Sequence, residues 1–141
     1  MGAFAWLAHS LNIIPSPELA HLMPYMLLIL EPVGQREARS EAEGRVLYER
    51  MQRYARELQA HGLLSGAESL ASQRTATRVG RASVNGAVQV LDGPFAEAKE
   101  MVGGYFLLDC ATREQAVEIA RACPAAEWAT VEVREFGPCF L

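Results

Sequence analysis

The chain has 141 residues, 50% of them hydrophobic and 21% charged. That balance excludes wholesale disorder and fits one domain, near the size at which a second subunit helps to complete a core. A formal charge of -4 without a Lys/Arg cluster lacks the electrostatic footprint that phosphate backbones require, so no nucleic-acid partner is expected. Cys110, Cys123 and Cys139 are odd in number and widely spaced. They fit neither a disulfide framework nor the paired ligands of a structural zinc site, which predicts reduced thiols in a cytoplasmic protein.

Residues 1–22 are mildly apolar through Phe4, Trp6, Leu7, Leu11, Ile13 and Ile14. They lack a basic n-region, a long apolar core and a small-residue cleavage site, so they read as an extension or the product of an upstream start rather than an export signal. The apolar run is too short and interrupted to span a bilayer, and no membrane association is expected. The domain proper is taken as residues 23–141.

Residues 25–30 form a continuous apolar run of strand length, stopped by Glu31-Pro32. This predicts a central strand buried on both faces. Ser40 and Glu43 make a capping-box pattern, after which Leu47, Met51, Tyr54 and Leu58 recur at helical spacing. The helix carries Glu49, Arg53 and Glu57 along its solvent face and stops at Gly62. Residues 63–70 read as a weaker strand with small-residue breaks at Gly66 and Ala67. Residues 76–91 read as a hairpin, with Thr77 and Val79 on one arm, Val88 and Val90 on the other, and Asn85-Gly86 at its tip. Residues 105–108 are again apolar in succession, a second strand buried on both faces. Thr112 and Gln115 cap a helix that turns Ala116, Ile119, Ala120 and Cys123 inward and ends at Pro124. Residues 130–136 alternate, with Val131 and Val133 opposite Glu132 and Arg134, as suits an edge or half-exposed strand.

This order predicts an α+β fold, a ferredoxin-like βαββαβ arrangement with an inserted β-hairpin. Two helices cover one face of a sheet, yet the central strands are apolar on both. Leaving their large side chains in water forgoes roughly 1.5–3 kcal/mol each, so a homodimer packed sheet to sheet is expected.

The densest stretch is Asp92-Gly93-Pro94-Phe95-Ala96-Glu97-Ala98-Lys99-Glu100, followed by Gly103-Gly104-Tyr105-Phe106. It packs ionisable groups, a Gly-Pro corner and a Gly-Gly hinge into a connection between two apolar segments. Asp92 is either a turn residue accepting backbone hydrogen bonds while Phe95 plugs the core, or a rigidly held general base or ligand anchor, and the two roles are compatible. Lys99 and Glu100 form a solvated pair, or one of them reaches Asp92 or crosses the dimer. On the residues alone Glu68 is an exposed strand-end acid; in the proposed sheet order it faces a cavity between sheet and partner. Tyr105 is a core tyrosine or a phenolic donor to a ligand. Gly103-Gly104 marks a bulge or a close backbone approach. His61, beside the helix end, reads as a cap. No nucleophile triad, phosphate loop, dinucleotide fingerprint or metal-ligand spacing occurs, so no cofactor or metal is expected.

Together with Tyr25-Met26-Leu27-Leu28-Ile29, Gly62-Leu63-Leu64-Ser65-Gly66-Ala67-Glu68-Ser69-Leu70 and Val131-Glu132-Val133-Arg134, that stretch resembles the DGPF branch of the YCII-related proteins over residues 23 to about 136. The resemblance implies a dimeric α/β barrel and, at Glu68, an acid shared with relatives; residues 1–22 have no counterpart in it. It points to a small cofactor-independent enzyme or ligand-binding protein acting by acid/base chemistry on a small cyclic molecule. By that analogy Asp92 is the base, Lys99 or Tyr105 steadies a developing enolate, and Glu68, Glu100 and Tyr105 contact the ligand. The smaller YCII proteins have been suggested to use a His-Asp pair, and no histidine here matches it. The alternative is a non-catalytic regulatory or interaction module linked to an extracytoplasmic-function sigma factor.

Overall fold

Strand β1, Tyr25–Pro32, is the spine of the sheet, and its side chains alternate between buried and half-buried along its length. The computed structural model describes residues 24–140; the apolar N-terminal segment and the domain boundary expected at residue 22 lie outside them. After β1 come helix α1 (Glu41–Ala60), β2 (Leu64–Ser69), β3 (Thr77–Arg81), β4 (Val88–Asp92), β5 (Glu100–Leu108), helix α2 (Arg113–Arg121) and β6 (Thr130–Glu135), with short 3-10 turns at Gln73–Thr75 and Pro124–Glu127. The four-stranded antiparallel sheet runs β2-β5-β1-β6, and β3 and β4 form a separate two-stranded ribbon. The protein is α+β and ferredoxin-like, with the hairpin inserted between β2 and β5.

Both helices start as their sequences dictate. Ser40 accepts from the Glu43 N–H while Glu43 returns the bond to the Ser40 backbone, and Thr112 and Gln115 repeat the arrangement. Holding the Glu43 carboxylate against the Ser40 backbone and hydroxyl donors lowers its pKa. Gly62 follows the end of α1 with a φ of 68°, and His61 sits at the cap with its Nδ1 2.7 Å from the Glu57 carbonyl. Pro124 ends α2 and also opens the second 3-10 turn.

The helices lie on one face of the sheet. Tyr25, Leu27 and Ile29 of β1, Phe106 and Leu108 of β5, Tyr54 and Leu58 of α1, and Ala116 and Ile119 of α2 make one core. Tyr54 packs edge-on against Phe106, ring centroids 5.3 Å apart, and its hydroxyl donates to the Ile119 carbonyl at 2.7 Å. Burial pushes that phenol far above its ordinary pKa, so it remains a donor.

Among the described residues β1 and β5 are buried on the helix side, while Met26, Leu28, Leu30, Tyr105 and Leu107 are half-buried on the other face, the one the sequence leaves for a second subunit. Two expectations are corrected. Glu100, Gly103 and Gly104 belong to β5 and not to a connecting loop. The bulge expected at the glycine pair is present: Ile29 pairs with Gly104 and Leu30 with Val102, so Gly103 of β5 is the extra residue. Phe95 is buried, but beneath Arg78, whose guanidinium lies 3.7 Å from its ring centroid, and it stands outside the main core.

Replacing Ser40 with alanine removes the cap of α1 without touching the core. Urea denaturation is expected to show a loss of about 1 kcal/mol, against about 2–5 kcal/mol for Leu58→Ala.

Candidate functional site

Strand alternation carries Glu31 to the same side as Tyr25, Leu27 and Ile29, so a carboxylate arrives at the apolar helix side of the sheet with only 6% of its surface exposed. A charge so placed requires a partner. Arg36, in the turn after β1, supplies it: Nε donates to Oε1 at 2.5 Å and Nη2 to Oε2 at 3.2 Å. The same guanidinium donates to the Leu70 carbonyl at 2.7 Å and the Gly103 carbonyl at 3.3 Å. One side chain thus ties the end of β1 to the residue following β2 and to the bulge of β5.

Gly103 follows from this arrangement. A Cβ there would stand 2.1 Å from Glu31 Oε2, so only glycine lets the strand pass the ion pair. Part of the Gly-Gly signal in the sequence is therefore room for a buried carboxylate.

Next to the pair opens a cleft of about 840 Å³ between α1 and the inner face of the sheet, a size typical of small-molecule sites. Its walls are apolar and aromatic, including Ile29, Met51, Phe106 and Trp128, and it exists because Gly44, Ala55, Ala67 and Ala125 leave space that larger residues would fill. Glu41 and Arg45 lie along it and pair with each other at 2.6 Å. Arg39 also lines it, and among the described residues no carboxylate lies within 4 Å of its guanidinium. A second cavity of about 380 Å³ is bordered by Gln35, Glu100 and again Trp128. Trp128 lies beneath the Arg50 guanidinium, 5.4 Å from its ring centroid, while Arg50 clamps Glu127 with two bonds of 2.7 and 2.8 Å. The Trp128 carbonyl accepts from Gln35 at 2.7 Å.

The expected site residues fall in several places. Glu68, exposed on β2, stands in register with half-buried Tyr105 and lines the large cleft. Asp92 ends the ribbon, is exposed, and accepts from the Thr77 hydroxyl at 2.7 Å. The backbone bond at that corner is made by Gly93, whose N–H reaches the Ala76 carbonyl at 2.8 Å. Lys99 is exposed, and its carbonyl accepts from Val33. Glu100 is the exposed first residue of β5, opposite Pro32. Glu68 and Tyr105 are in register on neighbouring strands; Tyr105, Asp92, Lys99 and Glu100 are not among the residues lining the large cleft.

Glu31 and Arg36 were not singled out from the sequence. Glu31 looked like the stop of an apolar run, although the two-residue period from Leu27 and Ile29 was enough to aim it inward.

Among the described residues no group of three or more His, Cys, Asp or Glu side chains could hold a metal ion, and no helix is long and apolar enough to cross a membrane. Burial pushes the Cys110 and Cys123 thiols up to about 11, while Cys139 is exposed.

A family model described as the YCII-related domain matches residues 23–138. The chain belongs to the YCII-related domain family. Over 32 residues it is also 53% identical to an uncharacterised protein of Rhizobium meliloti (strain 1021), a stretch that is 23% of this chain and 26% of that relative. The chain therefore spans about a quarter of the length of the curated relative it matches. Within the YCII-related fold described above, the cleft and the Glu31–Arg36 pair lie on the helix-covered side of the sheet.

Truncating Arg36 to alanine strands a buried carboxylate and is expected to cost about 3 kcal/mol in urea unfolding, whereas the double variant Glu31→Gln with Arg36→Met recovers part of the loss. For the cysteines, protonated and buried thiols resist reagents that attack thiolates. Titration with an aromatic disulfide at pH 7.5 should modify Cys139 in the folded protein, with Cys110 and Cys123 reacting only after denaturation.

Proposed function

We propose that this YCII-family protein takes a small cyclic molecule into the cleft beneath α1 and acts on it by acid/base chemistry with Glu31 as the proton acceptor. The observation that carries the reading is a buried carboxylate, fixed by a guanidinium, at the edge of a roomy apolar cleft. Each Glu31 oxygen receives a bond from Arg36, and a carboxylate oxygen keeps a second lone pair for a proton. The apolar walls suit a ring, and Arg39 supplies positive charge where an oxygen gains negative charge. Removing a proton from a carbon beside a carbonyl places the electron pair on that oxygen. Returning the proton to the same carbon gives exchange, and where the ring carries a β,γ double bond, returning it to the γ carbon shifts that bond into conjugation and completes an isomerisation, with no oxidant or reductant consumed.

This reading moves the base from Asp92 to Glu31, because the cleft is lined by the second and not the first. A regulatory module would use the exposed segment around residues 92–100 as a contact surface; a cleft of ligand size favours the small-molecule role. Within the family, the Asp92-Gly93-Pro94-Phe95 run supports membership of the DGPF branch. The half-buried apolar face formed by Met26, Leu28, Tyr105 and Leu107 supports a homodimer packed through that face, in the manner of a dimeric α/β barrel.

The test is exchange of carbon-bound hydrogen in heavy water across a panel of cyclic ketones and lactones, followed by NMR. Wild type should accelerate exchange for some members. Glu31→Gln should lower the rate by about a hundredfold or more, and Ala67→Trp, which fills the cleft, should abolish binding. Asp92→Asn should leave the rate unchanged; exchange lost in Asp92→Asn and kept in Glu31→Gln would return the role to Asp92.

A further inference from the structure

Helix α1 is docked along only part of its length. Tyr54 and Leu58, in its C-terminal half, are buried in the core, while from Glu41 to Arg50 no residue of the helix is buried. The stripe facing the sheet nevertheless continues through that stretch. Gly44, Tyr48, Met51 and Ala55 follow one another at helical spacing, and all line the large cleft. The N-terminal half of α1 therefore overhangs the cleft.

Two residues of that stripe contribute less to stability than their positions allow. Gly44 lies within the helix, its N–H bonded to the Ser40 carbonyl at 3.0 Å, where glycine is a weaker helix former than alanine. Nothing local demands it. Its φ lies outside the left-handed region, and among the described residues no heavy atom comes within 4 Å of where a Cβ would stand. Gly93 and Gly103 differ, because their missing side chains make room for the Gln73 carbonyl and for Glu31. One turn after Gly44, Tyr48 places a large aromatic ring on the inward stripe and leaves it 52% exposed. Among the described residues no ring or guanidinium stacks on it. Helical side chains lean toward the N-terminus, so this ring leans toward the turn that holds Gly44, and no atom of it lies within 4 Å of the missing Cβ. A notch walled by an aromatic face and by bare helix backbone is left on the cleft side of α1.

That shape matches what the acid/base step produces. Taking a proton from a ring carbon beside a carbonyl turns that carbon from tetrahedral to trigonal, so a puckered ring flattens as the enolate forms. The proton goes to the Glu31 carboxylate and the electron pair to the carbonyl oxygen. A flat ring offers its whole face to an aromatic side chain, whereas a saturated ring meets it through axial hydrogens. Contacts that strengthen as the ring flattens lower the barrier, and contacts equal in both states do not. We propose that Tyr48 and Gly44 form the ring subsite of the cleft. The phenol of Tyr48 stacks on the substrate ring, Gly44 lets the ring edge reach the helix backbone, and the subsite selects flat, conjugated rings and their enolates over saturated ones. The inference rests on the acid/base reading above and adds to it the shape by which the substrate is chosen.

Naphthol and decalone share a fused two-ring carbon skeleton and a single oxygen and differ in flatness, and NMR titration of the full chain with each tests the subsite. Wild type should bind naphthol about threefold or more tightly than decalone. Tyr48→Leu keeps apolar bulk without the ring. It should remove that preference and lower the maximal exchange rate for a ring ketone, with KM nearly unchanged. Gly44→Ala and Gly44→Leu should weaken naphthol binding in that order although both raise the melting temperature, alanine by about 2–4 °C, so the loss is not misfolding. Equal affinity for the two probes in wild type, a preference that survives Tyr48→Leu, or unchanged binding in Gly44→Leu overturns the subsite. Glu31→Gln separates the two readings. Exchange lost with the naphthol preference kept supports both, and exchange kept with the preference kept removes the base and leaves the subsite. A wild type that binds neither probe overturns both.

Discussion

A carboxylate withdrawn from water must be neutralised where it lies, and much of the inner architecture follows from how Glu31 meets that demand. Arg36 reaches it from the turn after β1, and once committed it also accounts for the carbonyls of Leu70 and Gly103. Three chain segments converge on one guanidinium, which gives that end of the sheet its rigidity. The bulge in β5 and the absence of a side chain at residue 103 are consequences of the same pair. A site built this way is held by the strands themselves, which keeps its geometry tighter than a loop would.

The two faces of the sheet are under different constraints. On the helix side the core closes around Leu27, Leu58 and Ile119, and the large cleft opens where small residues of α1, β2 and the second 3-10 turn face one another. On the other side Met26, Leu28 and Leu107 are half-buried, and among the described residues no helix lies above them. The cleft and the half-buried apolar face thus lie on opposite sides of the sheet and share no apolar area. The ribbon adds a third surface, rooted through Phe95 and Gly93.

Element order, both capping boxes and the edge position of β6 were legible in the sequence, because each rests on a local signal: a cap three residues before its partner, or a two-residue alternation. The cleft was not. A cavity is what several small residues from distant segments fail to fill, and Gly44, Ala55 and Ala125 carry no individual signal in a sequence. The run from Asp92 to Glu100 drew attention for its density, and part of that density is structural. Gly93 is pressed against the Gln73 carbonyl, Phe95 sits under Arg78, and Glu97 pairs with the same arginine. Glu31 was obscured by the proline after it, which suggested a terminus where the alternation in fact continued.

Trp128 borders both cavities. Its backbone is fastened by Gln35 and its ring is roofed by Arg50, which is itself tethered to Glu127. A residue common to two cavities is thereby fastened on its solvent side by an exposed ion pair, an interaction that added salt screens.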